Sequence, residues 1–345
     1  RLVGSEMCIR DRINTIKCYG CRDYETEIFD ELSQKYDYKL ELCNYLLTDK
    51  NYIDALGYEI IMVRGNCTLN ADSLKKLKEK GLKYILTRTV GYDHLDLEMC
   101  KKLRIQVANV PSYSPNAIAE LAITLSLMLL RNTAYITNRT KEGDFTISNQ
   151  MLSREIRNCT VGILGCGRIG CVAGELFKGL QAKVIGYDVQ PSEKARKIMK
   201  MVSLDDFIKQ ADIISCHIPY VKGQNDNFID KVFISKMKHQ SILVITGRGE
   251  ILDLAAATDA IQKGKLAGLA IDVMKNEKEL FFHKWNKGEI TNPLYKQLIE
   301  LYPKVLITPH IASATNEALR EMIETSLKNM EEYRLSGNCH NSLNS

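Results

Sequence analysis

The sequence predicts an α/β protein of two doubly wound parallel-sheet domains. Two observations carry this. Short apolar, β-rich runs alternate with helical stretches in two successive blocks, and a glycine-rich strand–turn–helix opens the second block but not the first. Strands that are apolar along their whole length belong to parallel sheets covered by helices on both faces. Two such blocks mean two domains, and 345 residues suffice to fill both.

In the first block the strand-like runs are 13–19, 39–42, 59–63, 83–87 and 105–108, with helices between them such as 73–80. In the second they are 161–164, 183–187, 213–216, 242–245, 269–271 and 305–308. A helix over 116–131, launched by Ser114-Pro115, is the natural crossover, and a helix over 315–335 is placed to cross back. The longest apolar run, 121–130, lies between Glu120 and Arg131; it is too short to span a bilayer and reads as a buried helix.

The most informative stretch is Val161-Gly-Ile-Leu-Gly165-Cys-Gly167-Arg-Ile-Gly170, followed by a second strand that ends at Asp188. Gly165 makes the tight turn, Gly167 lets backbone approach a pyrophosphate, and Gly170 allows helix–strand packing. The helix N-terminus offers free N–H groups and a positive dipole end to phosphates. An acid at Asp188 suits a ribose with free hydroxyls and repels a 2′-phosphate, so the expected cofactor is NAD rather than NADP. Because this turn opens only the second block, the first block must be something other than the cofactor domain.

Composition fits an ordinary soluble enzyme, with 45% hydrophobic and 26% charged residues. A formal charge of +5 with both signs interspersed is too mild to argue for nucleic acid or membrane as a partner. The 11 cysteines form no framework, which suits reduced thiols in a cytoplasmic setting. Cys18-Tyr-Gly-Cys21 has CxxC spacing but no second pair, so neither a metal nor a redox centre is expected. Residues 1–12 have no periodic pattern and no apolar stretch with a cleavage site; they are read as a non-native or disordered leader.

Several further motifs recur in order: Thr89-Val-Gly-Tyr-Asp-His-Leu-Asp96, Val110-Pro-Ser-Tyr-Ser-Pro115, His217-Ile-Pro219, Gly247-Arg-Gly249, Ala270-Ile-Asp272 and Thr308-Pro-His310. Together with the glycine turn they resemble the D-isomer-specific 2-hydroxyacid dehydrogenases, over nearly the whole chain. The likeness is to the D-lactate dehydrogenase branch, and within it to the (R)-2-hydroxyglutarate dehydrogenases, through Val63-Arg-Gly-Asn-Cys67 and Leu301-Tyr-Pro-Lys-Val-Leu-Ile-Thr-Pro-His310.

This resemblance implies a Rossmann NAD domain over 112–311. It also implies a discontinuous flavodoxin-like substrate domain from 13–111 and 312–345, an active site in the cleft between them, and a homodimer formed through the cofactor domain. It gives His310 as proton donor, Glu277 as the carboxylate paired with it, and Arg248 as the arginine that binds the substrate carboxylate. The chemistry coheres: a carboxylate partner favours imidazolium, and a planar guanidinium suits a carboxylate bidentately. Weaker carry-overs are the backbone amides of Val90 and Gly91 and the ring of Tyr113 for the substrate. For the cofactor they are Arg168 and Ile169 at the pyrophosphate, Ile218 and Pro219 on the adenosine side, Thr246 and Gly247 at the nicotinamide ribose, Asp272 at the carboxamide, and Asn225 as an extra contact. His217 is expected to be structural. Ala314 stands where relatives carry an aromatic, which widens the expected pocket.

Arg64 discriminates among substrates. D-lactate dehydrogenases tend to place an aromatic there; here a cation enters the side-chain end of the expected pocket, and a buried cation is costly unless paired. A second carboxylate on the substrate would pair it, as would an internal ion pair. The expected reaction is NADH-dependent reduction of a 2-keto acid, 2-oxoglutarate to (R)-2-hydroxyglutarate. A D-lactate or broad D-2-hydroxyacid dehydrogenase is the alternative within enzymes, and an NAD-sensing corepressor or scaffold the alternative outside them.

Overall fold

The computed structural model describes residues 15–286 and 288–344. The expected leader 1–12 and the first two positions of the first expected strand lie outside them. The chain forms two compact units, one running up to Ser114 and resuming at Thr315, the other spanning Pro115–Ala314; sequence placed the crossings at 111/112 and 311/312.

The first unit holds a five-stranded parallel sheet of β1 (Thr15–Tyr19), β2 (Lys39–Cys43), β3 (Ile60–Val63), β4 (Tyr84–Thr87) and β5 (Gln106–Ala108), in the order β2-β1-β3-β4-β5. Side chains alternate across it. Ile16, Cys18, Met62 and Leu86 pack on Phe29, Leu32, Ile323 and Leu327 on one face, while Ile61, Val63, Ile85 and Val107 pack on Leu74 and Leu77 on the other. The helix Asn316–Ser336 supplies Ile323 and Leu327, so the returning segment completes this core. Its start is capped by Thr315, whose hydroxyl accepts from the Ala318 N–H at 3.2 Å, and it stops at Gly337 in the left-handed conformation (φ 75°).

The second unit holds a seven-stranded parallel sheet of β6 (Thr160–Leu164), β7 (Lys183–Tyr187), β8 (Lys200–Met201), β9 (Ile213–Cys216), β10 (Ser241–Ile245), β11 (Leu266–Ile271) and β12 (Val305–Ile307), in the order β12-β11-β10-β9-β6-β7-β8. The two-residue β8 is too short for its pattern to show in sequence. β11 begins before the expected 269 because Gly268 lies in its first half. There the missing side chain makes room for Leu129 of the helix Pro115–Leu130, whose Cδ2 would sit 2.9 Å from a Cβ. That helix buries Ala119, Ala122, Leu125 and Leu129 with the sheet's Val161, Ile163, Val244 and Ala270.

Strand order reverses between β6 and β9, and the strand ends are in register. Tyr187, Leu164, Cys216, Ile245, Ile271 and Ile307 form one row across the sheet. Every functional candidate of this unit follows one of those residues. Beyond the carboxyl ends of strands at such a reversal, a doubly wound sheet opens a ligand crevice.

Candidate active site

The glycine turn has the geometry its spacing predicts. Gly165 adopts φ 89°, and a Cβ there would meet the Ile218 nitrogen at 2.7 Å; a Cβ on Gly170 would meet the Gly165 carbonyl oxygen at 2.0 Å. Both positions are closed to any side chain. Gly167 differs: it precedes the helix Arg168–Gly179, and nothing lies within 4 Å of where its Cβ would be, so its surroundings are open at the helix N-terminus. Asp188 closes the turn as well as ending the second strand. Its Oδ2 accepts from the Cys166 N–H at 2.7 Å and its Oδ1 from the Gln190 N–H at 2.8 Å. Arg168 and Pro219 are exposed, and Ile169, Ile218 and Gly247 are half-buried. Asn225 is occupied by its own loop, donating to the Pro219 carbonyl and accepting from the Val221 N–H, both at 2.8 Å.

At the ends of β9 and β10, two buried polar atoms have no hydrogen-bond partner among the described residues, Thr246 Oγ1 and His217 Nδ1. The other ring nitrogen of His217 lies 2.9 Å from Ser215 Oγ. Burial takes the imidazole down to about 4, so it is neutral at neutral pH. Orphaned polar atoms beside an open glycine turn fit a dinucleotide that would satisfy them. When bound, NADH supplies the hydride; the chain supplies the hold on it.

The catalytic candidates sit at the other end of the same row. His310 Nδ1 is 2.7 Å from Glu277 Oε1. A carboxylate only accepts, so Nδ1 carries a hydrogen and Nε2 is the nitrogen left to exchange a proton with a substrate. His310 has φ 55°, rare for a non-glycine residue. Three hydrogen bonds to one buried carboxylate hold this turn: Asp272 Oδ1 accepts from Thr308 Oγ1 at 2.6 Å and from the Ile311 N–H at 2.9 Å, and Oδ2 from the Ala312 N–H at 2.9 Å. The His310 N–H also donates to the Asp272 carbonyl at 2.9 Å. Burial pushes the Asp272 carboxyl above the usual carboxylate range even so. Sequence expected Asp272 at the cofactor carboxamide; in the structure it is fully buried and clasps the His310 turn. Thr308, quoted in a motif but given no role, is part of that clasp.

Arg248 follows β10, with Nη1 donating to the Gly247 carbonyl at 3.0 Å and no ion pair among the described residues. The next residue, Gly249, lies against the loop that leads to Glu277: a Cβ there would fall 2.1 Å from the Met274 carbonyl carbon. The loops bearing Arg248 and Glu277 are thus pressed together by a contact only glycine permits.

In the first unit, the Val90 and Gly91 carbonyls are tied back, to Asn109 Nδ2 at 2.9 Å and to Thr89 Oγ1 at 2.6 Å. Their N–H groups have no partner among the described residues, an arrangement suited to a carboxylate. Tyr113 is half-buried. Arg64, just past β3, donates from Nη1 to the Gly20 carbonyl at 3.2 Å and makes no ion pair among the described residues. The internal salt bridge that sequence held open for Arg64 is absent there. Burial, then the neighbouring charges of Arg22 and Arg88, hold its guanidinium below the usual arginine range.

A family model described as D-isomer specific 2-hydroxyacid dehydrogenase, NAD binding domain, matches residues 123–312. The chain is 36% identical over 327 residues to an aromatic 2-oxoacid reductase of Clostridium sporogenes, covering 94% of this chain and 98% of that protein. It is 33% identical over 329 residues to a D-lactate dehydrogenase of Staphylococcus aureus, covering 95% and 99%. Among solved structures it resembles D-lactate dehydrogenase with NAD+ from Lactobacillus jensenii, with a TM-score of 0.85 at 32% identity over 95% of this chain and 99% of that one. The likeness runs over nearly the full length of the chain and of these proteins, and the chain, with its glycine turn open to a dinucleotide and its histidine–glutamate pair at the far end of the same strand row, belongs to the D-isomer-specific 2-hydroxyacid dehydrogenase family as an NAD-dependent oxidoreductase.

Proposed function

We propose that this enzyme reduces a dicarboxylic 2-keto acid, 2-oxoglutarate, to its (R)-2-hydroxy acid with NADH. The observation that carries the substrate is Arg64, a half-buried guanidinium with no carboxylate partner among the described residues. A cation so placed is stabilised by a ligand that brings its own negative charge. In this reading Arg248, with the Val90 and Gly91 N–H groups, holds the reacting carboxylate and polarises the keto group. His310 delivers a proton from Nε2 to the oxygen as hydride arrives at the carbon, and Glu277 keeps the ring oriented. Arg64 takes the distal carboxylate.

The relatives supply the second reading, since their names point to aromatic 2-oxo acids and to lactate. Ala314, standing where the resembled relatives carry an aromatic ring, favours a roomier pocket on either reading. A homodimer is part of the proposal, supported by the exposed Phe145 (77%), Ile147 (92%) and Leu152 (76%) within one short stretch of the second unit, apolar surface that a second copy would cover. Steady-state NADH oxidation against 2-oxoglutarate, oxaloacetate, pyruvate and phenylpyruvate decides the substrate. A higher kcat/KM for pyruvate or phenylpyruvate than for 2-oxoglutarate sinks the dicarboxylate reading.

A further inference from the structure

Around the carboxyl ends of β1, β3 and β4 the first unit gathers three guanidinium groups, Arg22, Arg64 and Arg88, and one buried carboxylate, Glu25. Arg88 and Glu25 account for each other. Arg88 Nη1 donates to Glu25 Oε1 at 3.1 Å, with both side chains almost fully buried, and Arg88 Nη2 reaches the Tyr19 carbonyl at 3.4 Å while the guanidinium lies over the Phe29 ring. The other oxygen of Glu25 is also used: Oε2 accepts the Arg22 backbone N–H at 2.8 Å. That leaves two positive charges. Arg64 donates only to the Gly20 carbonyl, and Arg22 donates to the Tyr24 hydroxyl beside whose ring it lies. Neither meets a carboxylate among the described residues.

The Arg64 side chain leans on the turn that carries Arg22. Gly20 has φ 66°, and a Cβ there would stand 3.2 Å from Arg64 Cδ, so glycine lets the Arg64 stem lie along the turn that carries Arg22 two residues later. The charge of Arg22 is the largest electrostatic influence on Arg64 after burial. Two neighbouring like charges, neither paired with a carboxylate among the described residues, mark a place that gains from an anion with two acceptor atoms. Arg88 is excluded from that role because it is already paired and fully enclosed.

We propose that Arg22 is a second specificity-determining cation, which clamps the distal carboxylate of the keto acid together with Arg64, one guanidinium to each oxygen. This rests on the dicarboxylate reading of Arg64. Sequence reasoning missed Arg22 because it lies far from Arg64 along the chain, in a turn with no motif of its own.

The test compares wild type, Arg22→Gln, Arg64→Leu and the double variant. It measures kcat/KM for 2-oxoglutarate and for pyruvate, together with inhibition by glutarate against butyrate. Each single variant is expected to lower the 2-oxoglutarate-to-pyruvate ratio about ten- to hundredfold and to weaken glutarate inhibition relative to butyrate. The double variant should lose less than the product of the singles, because the two groups grip one ligand. NADH fluorescence titration confirms that each variant is folded; should Arg22→Gln fail it, Arg22→Lys, which keeps the charge but not the fork, is read by the same ratio. An unchanged ratio in the Arg22 variant beside a lowered one in Arg64→Leu overturns the clamp and leaves the dicarboxylate reading standing. A wild type that does not reduce 2-oxoglutarate overturns that reading, and the clamp with it.

Discussion

His310 Nδ1 lies 2.7 Å from Glu277 Oε1, and that contact sets which nitrogen of the ring is left for chemistry. The carboxylate secures the hydrogen on Nδ1, so proton transfer must run through Nε2. His310→Gln should therefore lower keto-acid reduction on the order of 10²–10⁴-fold. Glu277→Gln keeps an oxygen acceptor for Nδ1 but removes the negative charge beside the ring, so kcat should fall by roughly tenfold or more, less than in His310→Gln. A kcat in Glu277→Gln equal to that of the wild type, in steady-state assays, would show that the pairing does not serve the reaction.

The clasp on Asp272 predicts a positioning effect at Thr308. Thr308→Val removes the 2.6 Å hydrogen bond to a buried carboxylate while preserving shape. It should cost about 1–3 kcal/mol of stability. Because the loosened turn carries His310, kcat should fall roughly tenfold or more with KM little changed, and Thr308→Ser should restore most of it. Equal losses in Thr308→Val and Thr308→Ser would mean that the hydroxyl does not hold the turn.

Arg64→Leu should reduce kcat/KM for 2-oxoglutarate roughly ten- to hundredfold, the worth of a charge-assisted contact of about 1.5–3 kcal/mol. Pyruvate has no distal carboxylate and should lose little. The decisive quantity is the ratio of the two in a variant that still binds NADH.

Asp188 offers a carboxylate to a ribose and repels a 2′-phosphate. NADH should be preferred over NADPH by at least about tenfold in kcat/KM, or roughly 1.4 kcal/mol. Because Asp188 also anchors the Cys166 and Gln190 amides, Asp188→Asn should raise KM for NADH as well as narrowing the preference. Equal use of the two cofactors by the wild type would remove the role assigned to this residue.

His217 gives the enzyme a sensitivity to mild acid. Its imidazole ionises near 4 in the fold, against an ordinary 6.5, because burial disfavours the charged ring. The unfolded chain thus binds this proton more readily than the folded one between those values, so stability falls as pH drops through 6.5 and continues to fall until about 4. The full effect is up to roughly 3 kcal/mol. Unfolding in denaturant at a series of pH values should show a slope across this window that is shallower by about one proton in His217→Asn. Parallel curves for the two proteins would refute the assignment.

Local demands made much of this protein legible in its sequence. The apolar runs that became β3, β9 and β10 read as strands because both faces of a parallel sheet are dry, and the glycine turn was legible because Gly165 and Gly170 sit where backbone leaves no room for a Cβ, while Gly167 keeps the helix N-terminus open. His310 and Arg248 were singled out through short motifs, and Glu277 through the family resemblance that those motifs carry. Tertiary structure decided what depends on residues distant in sequence. The register of strand ends set Asp188, Thr246, Asp272 and His310 in one row; Asp272 was turned inward to clasp the His310 loop; and Arg22 was brought beside Arg64 with Glu25 already committed to Arg88. Hydrogen bonds and ion pairs between separate segments leave no periodic trace along the chain. Their partners are chosen only when strand order and burial fix which polar groups lose water together.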